Sequence, residues 1–149
     1  MTHVTLAVTG SISAYKAADI TSQLGKLGYS VSVLMTEAAS HFITPLTLQV
    51  LSKNPVSLDL MDEPRPDNVN HIEIGKETNL FLVAPATANT IAKLANGLAD
   101  NMVTATALAL PSHVKKAIAP AMNTKMYENP LTQHNLERLK KFGWEIIEP

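Results

Sequence analysis

The sequence predicts a three-layer α/β domain of the Rossmann-like or flavodoxin-like kind, built on a parallel sheet. Short apolar runs typical of buried strands alternate with segments of helical periodicity. Small polar residues follow the ends of several of these runs, which is where open parallel sheets bind their ligands. The chain has 149 residues, 46% of them hydrophobic, which is enough for one core and one domain spanning residues 1–149.

The first half of the chain alternates strands with helices. Residues 4–8 and 31–35 are predicted to be buried strands. Between them, an apolar repeat of helical spacing predicts a helix that stops at Gly28. A second helix, with proline in its first turn, is predicted over residues 45–51. Residues 54–70 hold three prolines and are predicted to be irregular.

The second half continues the alternation with three more strands and three more helices. The strands are predicted over residues 80–84, 117–119 and 144–147. The first of the helices is predicted to begin with residues 91–94. The other two are predicted to span residues 102–110 and 131–142. The small apolar residues of the middle helix could pack closely against a neighbouring subunit.

The composition excludes several classes of function. The net charge is −1 and no basic cluster is larger than a lysine pair, so no nucleic-acid partner is expected. Cysteine is absent and the five histidines lack ligand spacing, so no metal site is expected. No apolar run reaches membrane-spanning length, and no basic segment leads into a long apolar one. We therefore expect no membrane partner, no signal peptide and a cytoplasmic location.

Two segments end predicted strands with small residues and an asparagine amide: residues 85–90 (PATANT) and 120–127 (PAMNTKMY). Since the carboxyl ends of parallel strands meet at one edge, these segments predict one shared site. Amides, hydroxyls and close backbone with little fixed charge suit a flat, hydrogen-bonding heterocycle better than a bare metal. The alternative is that Asn89 and Asn123 only cap helices.

Three further features could contribute to that site. Gly10, Ser11 and Ser13 lie at a predicted helix start, where unpaired N–H groups favour an anion by roughly 0.3–1 kcal/mol. A serine N-cap is the alternative, and one glycine does not make a dinucleotide fingerprint or a P-loop. Thr36 could likewise cap a helix or reach a ligand. His71 carries the side chain best matched to proton transfer near neutral pH, or has a structural role.

Together these segments resemble the flavin-containing cysteine decarboxylases over residues 4–149. The resemblance rests on the turn at residues 10–16 (GSISAYK), the NHI segment at 70–72, PATANT and PAMNTKMY. The family usually has serine where Thr87 stands and tryptophan where Tyr127 stands. Thr87 keeps the hydroxyl of the serine, and Tyr127 keeps an aromatic ring. The related flavin prenyltransferases share the fold and the first turn but lack the PAMN segment.

The resemblance implies an FMN-dependent carboxy-lyase that converts 4′-phosphopantothenoylcysteine to 4′-phosphopantetheine in coenzyme A biosynthesis. It also implies a homotrimer, or a homododecamer built from trimers, with the site between subunits. His71 would be the catalytic base. Asn123 and Met126 would bind this small-molecule substrate. Asn123 would hold the carboxylate of the substrate. FMN would be bound by Gly10, Ser11, Ile12, Ser13, Thr36, Ala38, Phe42, Thr87, Ala88, Asn89, Thr90 and Ala121.

The implied chemistry accounts for these roles. An amino-acid-type carboxylate loses CO₂ with difficulty because the electron pair left behind has no acceptor. Oxidation of the thiol carbon to a thioaldehyde by FMN places a C=S group beta to the carboxylate, and CO₂ then leaves to give an enethiol. A neutral amide suits the departing carboxylate, because an arginine would hold its charge in place.

In the family the chain continues past Pro149 into a substrate flap whose cysteine returns a proton to the enethiol. The 149 residues contain no cysteine, so we expect this polypeptide to form the enethiol and then stall. Two alternatives remain open. One is a peptidyl-cysteine decarboxylase, and the other is a non-catalytic FMN-binding regulatory protein.

Overall fold

A computed structural model describes residues 2–58 and 70–149, with side chains from residue 74 in the second range. It confirms the predicted three-layer α/β architecture with a parallel sheet. The strands within these ranges are β1 (His3–Val8), β2 (Ser30–Met35), β3 (Val56–Ser57), β4 (Leu80–Ala86), β5 (Lys115–Pro120) and β6 (Trp144–Ile146).

The strand order β3-β2-β1-β4-β5-β6 positions the ligand edge. It is the order of dinucleotide-binding folds, and without the two-residue β3 it becomes the flavodoxin order, so both predicted fold names apply. The direction of winding reverses between β1 and β4. Their carboxyl ends therefore border the crevice in which such sheets bind ligands.

The same ranges hold seven α-helices, two of which follow short 3-10 helices, Ile12–Tyr15 and Ala38–His41. They are α1 (Lys16–Lys26), α2 (Pro45–Ser52), α3 (Asn70–Glu77), α4 (Ala88–Ala95), α5 (Met102–Leu108), α6 (Thr124–Glu128) and α7 (Pro130–Lys141). None of the helices in the described part of the chain is long and apolar enough to cross a membrane.

Two apolar clusters fill the space on either side of the sheet. Leu6 and Val8 of β1 pack with α1 and α2, whereas Ala7 packs on the opposite face with α4, α5 and α7. The alternating direction of strand side chains explains this division, because a central parallel strand is buried on both faces. The helices thus form the two outer layers.

Local signals in the sequence place most element ends correctly. Gly28 and Gly143 follow α1 and α7 with φ of 93° and 94°, which favours glycine and confirms both predicted stops. Pro45 is the first residue of α2, as predicted, and Thr44 caps that helix. These ends depend on single residues, so a sequence shows them well.

Several expectations need correction. The segment predicted to be irregular, residues 54–70, includes β3 and the first residue of α3, while residues 59–69 lie outside the described residues. Helix α4 begins at Ala88, three residues earlier than residue 91. The helix predicted over 102–110 ends at Leu108, and Met102 to Thr106 are buried within this chain. That run is therefore part of the chain's own core and not a surface free to contact a neighbour.

Candidate functional site

The two asparagine-bearing segments lie side by side at the carboxyl edge of the sheet. Ala86 pairs with Pro120 at the ends of β4 and β5, and the backbone N–H of Ala121 donates to the Ala86 carbonyl over 3.0 Å. The prediction that both segments reach one edge is confirmed. PATANT leads into α4 and PAMN leads into α6.

A buried threonine that the sequence reasoning missed joins the ends of β1 and β4. The Thr9 hydroxyl donates to the Pro85 carbonyl over 2.6 Å and accepts from the Thr87 N–H over 3.0 Å. Thr9 is fully buried. A hydroxyl placed directly after a buried strand is the sequence signal that could have identified it. The effect of these bonds is to fix PATANT against the end of β1.

A cleft of about 390 Å³ opens where the winding of the sheet reverses. We call it the switch-point cleft. It contains several of the predicted cofactor residues, and it is lined by Gly10, Thr36, Glu37, Ala38, Thr87, Asn89, Thr90, Lys93, Asp100 and Asn101. Its position at the carboxyl ends of β1 and β4 is where a nucleotide-like ligand is expected in this topology.

Gly10 is fixed by a close approach of two backbone segments. A Cβ atom at Gly10 would collide with the Ala38 side chain and would lie 3.0 Å from the Ala38 carbonyl carbon. Both residues line the cleft. The lack of a side chain therefore lets the turn after β1 pack against the turn after β2, and this contact shapes one wall of the cleft.

Two hydroxyl caps leave backbone donors free at the cleft edge. The Ser11 hydroxyl accepts from the Ser13 N–H over 3.1 Å, and the Thr87 hydroxyl accepts from the Thr90 N–H over 3.2 Å. Within the described ranges, the N–H groups of Ala88 and Asn89 have no hydrogen-bond partner. Free N–H groups at the start of an eight-residue helix suit a phosphate, so this donor set fits the phosphate end of FMN.

Thr36 acts as a cap, which was one of its two predicted roles. Its hydroxyl accepts from the Ala39 N–H over 3.1 Å and holds the 3-10 turn that follows β2. Thr36 also lines the cleft although it is only 8% exposed. Phe42 ends the same turn and is half exposed, outside the switch-point cleft.

Other predicted cofactor residues lie elsewhere. Ser13 and Ala121 line a second cleft of about 170 Å³, which α1 and the ends of β4 and β5 enclose. Ile12 is exposed, and Ala88 is half-buried at the start of α4. Of the predicted cofactor residues, the structure therefore brings six together in the switch-point cleft: Gly10, Thr36, Ala38, Thr87, Asn89 and Thr90. Ser13 and Ala121 line the second cleft, and Ile12 and Phe42 are exposed.

Asn123 is the N-cap of α6, as the alternative interpretation expected. Its Oδ1 accepts from the Lys125 N–H over 2.8 Å and from the Met126 N–H over 3.4 Å. Among the described residues, its amide nitrogen has no partner, so both of its N–H groups remain available to an acceptor such as a carboxylate. Met126 is half exposed and is not part of the core.

The predicted base lies partly beyond what the structure describes. His71 belongs to α3 by its backbone, and its side chain falls outside the described residues. The aromatic residue that follows Met126 bonds to the end of the chain: the Tyr127 hydroxyl donates to Glu148 Oε2 over 2.9 Å. This bond raises the pKa of the Tyr127 hydroxyl above its ordinary value.

Charged residues that the sequence reasoning did not assign to the site also line the cleft. Lys93 Nζ lies 2.9 Å from Asp100 Oδ2, and Glu37 and Asn101 line the same cleft. The available signal was helical spacing, because Lys93 follows Thr90 by three residues and so shares its face of α4. Asp100 enters through the loop that brings the chain back to the cleft, which no local pattern predicts.

Comparison with known proteins identifies the family. A model of the Flavoprotein family matches residues 1–149. The chain is 64% identical over 146 residues to the "Probable phosphopantothenoylcysteine decarboxylase" of Streptococcus mutans, covering 98% of this chain and 82% of that protein. It is 46% identical to the coenzyme A biosynthesis bifunctional protein CoaBC of Bacillus subtilis, covering 99% of this chain but 36% of that protein. The crystal structure of the FMN-dependent cysteine decarboxylase SpaF matches with a TM-score of 0.93 at 30% identity, covering 100% of this chain and 85% of that one.

Proposed function

This chain belongs to the Flavoprotein family, and from that premise we propose that it is an FMN-dependent phosphopantothenoylcysteine decarboxylase of coenzyme A biosynthesis. The observation that carries the proposal is the 64% identity to the Streptococcus mutans relative over nearly the whole of this chain. The switch-point cleft and its free backbone donors support FMN as the cofactor.

FMN would be held by the two turns that meet across the switch-point cleft. The unpaired N–H groups of Ala88 and Asn89 would bind its phosphate, and the contact of Gly10 with Ala38 would shape the facing wall of the cleft. The hydroxyls of Thr87 and Thr90 would provide further hydrogen bonds. When bound, FMN supplies the oxidation that turns the thiol carbon of the substrate into a thioaldehyde.

The substrate would be held by the neighbouring PAMN segment. The free amide N–H groups of Asn123 would bind the substrate carboxylate, and Met126 would contact its apolar part. The Ala121 to Ala86 hydrogen bond keeps this segment beside PATANT and so beside the cofactor. His71 would accept the proton that leaves during oxidation, since imidazole is basic near neutral pH.

We further propose that the protein acts in the cytoplasm as a homotrimer or as a homododecamer built from trimers. Family resemblance supports the trimer. Large apolar side chains that this single chain leaves exposed near its turns also support an assembly, because such side chains are commonly covered by a partner: Ile12, Tyr15, Phe42 and Met126.

A substrate comparison tests the proposed function. Purified protein, loaded with FMN, is mixed in parallel with 4′-phosphopantothenoylcysteine and with a peptide that ends in cysteine. The masses of the products are measured by mass spectrometry. We expect loss of CO₂ from the first compound only, with FMN and not with FAD or NAD. Decarboxylation of the peptide alone would make this a peptidyl-cysteine decarboxylase. Binding of FMN with neither substrate consumed would make it a regulatory protein.

A further inference from the structure

One ion pair bridges two elements of the switch-point cleft. Lys93 Nζ, on the last turn of α4, contacts both carboxylate oxygens of Asp100 at 2.9 and 3.1 Å. Lys93 and Asp100 both line the cleft, together with Asn89 and Thr90 of the same helix. The Lys93 side chain is only 23% exposed although it carries a charge, so it lies along the protein and does not extend into water.

The loop between α4 and α5, residues 96–101, is attached to α4 through Lys93. The Leu98 N–H donates to the Lys93 carbonyl over 3.0 Å, and Gly97 turns the chain with φ of 71°. At its far end, Asn101 Oδ1 accepts from the Thr104 N–H over 2.9 Å and starts α5. Among the described residues, two side-chain bonds join this loop to α4. Asn96 Nδ2 donates to the Ala92 carbonyl over 2.7 Å at the start of the loop, and the ion pair holds the loop near its far end through Asp100.

The pair also sets the charge of the cleft. Of the described side chains that line it, Lys93 is the one cation, and Glu37 and Asp100 are the carboxylates. The hydrogen bond from Lys93 lowers the pKa of the Asp100 carboxyl, so the pair favours the ionised form of this group. An ionised Asp100 whose charge Lys93 balances repels a nearby bound anion less than an unpaired carboxylate would.

We propose that Lys93 and Asp100 are positioning residues for FMN. Their ion pair holds the loop of residues 96–101 against α4, so that Asn101 and Asn89 face the same cleft and the cofactor is retained between them. The proposal rests on the proposed function, because it takes FMN as the occupant of the cleft. It assigns no direct contact between Lys93 and the cofactor phosphate.

Two single variants with opposite charge changes distinguish positioning from simple electrostatic attraction. The dissociation constant of FMN is measured by the quenching of flavin fluorescence in Lys93→Gln and in Asp100→Asn. An ion pair of this exposure predicts an increase of about two- to fivefold in both variants. If the lysine instead attracted the phosphate directly, Asp100→Asn would tighten FMN while Lys93→Gln weakened it, and that result would overturn the proposal.

Reversal of the pair provides the rescue. The double variant Lys93→Glu with Asp100→Lys restores an ion pair in which the two charges have exchanged places. We expect it to bind FMN more tightly than either single variant. The control is Lys140→Gln, which breaks an exposed pair with Glu137 on α7, far along the chain from the cleft. Its dissociation constant is expected to equal that of the unaltered protein.

The outcomes separate this proposal from the proposed function. If the unaltered protein fails to bind FMN, the proposed function is wrong. If it binds FMN and both single variants bind it equally well, only the positioning role is wrong. The melting temperature of each apoprotein is measured in parallel. A loss of FMN affinity that merely follows a loss of apoprotein stability would also overturn the positioning role.

Discussion

At Gly10 the chain leaves β1 so close to Ala38 that there is no room for a side chain. The sequence predicts that this glycine lets a phosphate approach the backbone. The structure shows that it lets the turn after β1 contact the turn after β2 at Ala38. Ser11 and Thr87 likewise cap helix starts and at the same time leave backbone donors free. At the scale of single residues, structural and ligand-binding roles coincide in the same side chains.

Gly10→Ala tests the close approach at the cleft wall. The added methyl group meets Ala38 and forces one turn to move, which we expect to lower the free energy of unfolding by about 1–3 kcal/mol. Thermal unfolding of the apoprotein measures the effect. The control is Gly25→Ala within α1, where a Cβ meets nothing within 4 Å and alanine should stabilise the helix by up to about 1 kcal/mol. Equal stability of the two variants would contradict this explanation.

His71→Asn tests the proposed base. We expect the variant to bind FMN as before but to reduce it with substrate about 10²- to 10⁴-fold more slowly, since a positioned base contributes about that factor. Anaerobic bleaching of flavin absorbance after mixing with substrate is the measurement. His134→Asn, which alters an exposed histidine on α7, is the control. Bleaching at the unaltered rate in His71→Asn would give His71 a structural role only.

At the scale of elements, the site is built from strand ends that single hydrogen bonds hold together. Thr9 fixes the end of β1 to PATANT, and the Ala121 N–H fixes PAMN to the end of β4. The sequence showed that each strand is followed by polar residues. It did not show which strand ends are neighbours, because neighbours are determined by the order of strands in the sheet.

Thr9→Val tests the link between β1 and β4. Valine keeps the shape of threonine but leaves the Thr87 N–H without its acceptor, and we expect a loss of about 1–3 kcal/mol in the free energy of unfolding. Thr21→Val is the matched control, because the buried Thr21 hydroxyl only donates to the Ala17 carbonyl within α1. Urea denaturation compares the two. A loss in Thr9→Val no larger than in the control would show that the link contributes little.

At the scale of the whole molecule, the fold class and the shared site edge could be predicted from local patterns. Helix ends at Gly28 and Gly143 and strand runs such as β1 depend on neighbours in sequence. The two-residue β3 could not be predicted, since its pairing with β2 comes from the sheet and not from its own two residues. The same holds for Asp100, which reaches Lys93 only after the loop has turned.

The proposed trimer also belongs to this scale. Most of α5 is buried in its own chain, although Leu108 at its end is exposed, so we expect the interface to use other surfaces, and the exposed Ile12 and Tyr15 after β1 are the candidates. Light scattering on the FMN-loaded protein is expected to give three times the chain mass, or a multiple of it. Ile12→Glu should reduce the assembly. A stable monomer that retains FMN would contradict the proposed assembly.

In the proposed reaction, decarboxylation proceeds through FMN-dependent oxidation of the thiol carbon of the substrate. The most direct measurement mixes the FMN-loaded protein anaerobically with 4′-phosphopantothenoylcysteine or with its serine counterpart, which has a hydroxyl in place of the thiol. Flavin absorbance and released CO₂ are followed together. We expect bleaching and CO₂ release with the cysteine compound and neither with the serine compound. Release of CO₂ from the serine compound, or from the cysteine compound by protein stripped of FMN, would contradict the claim.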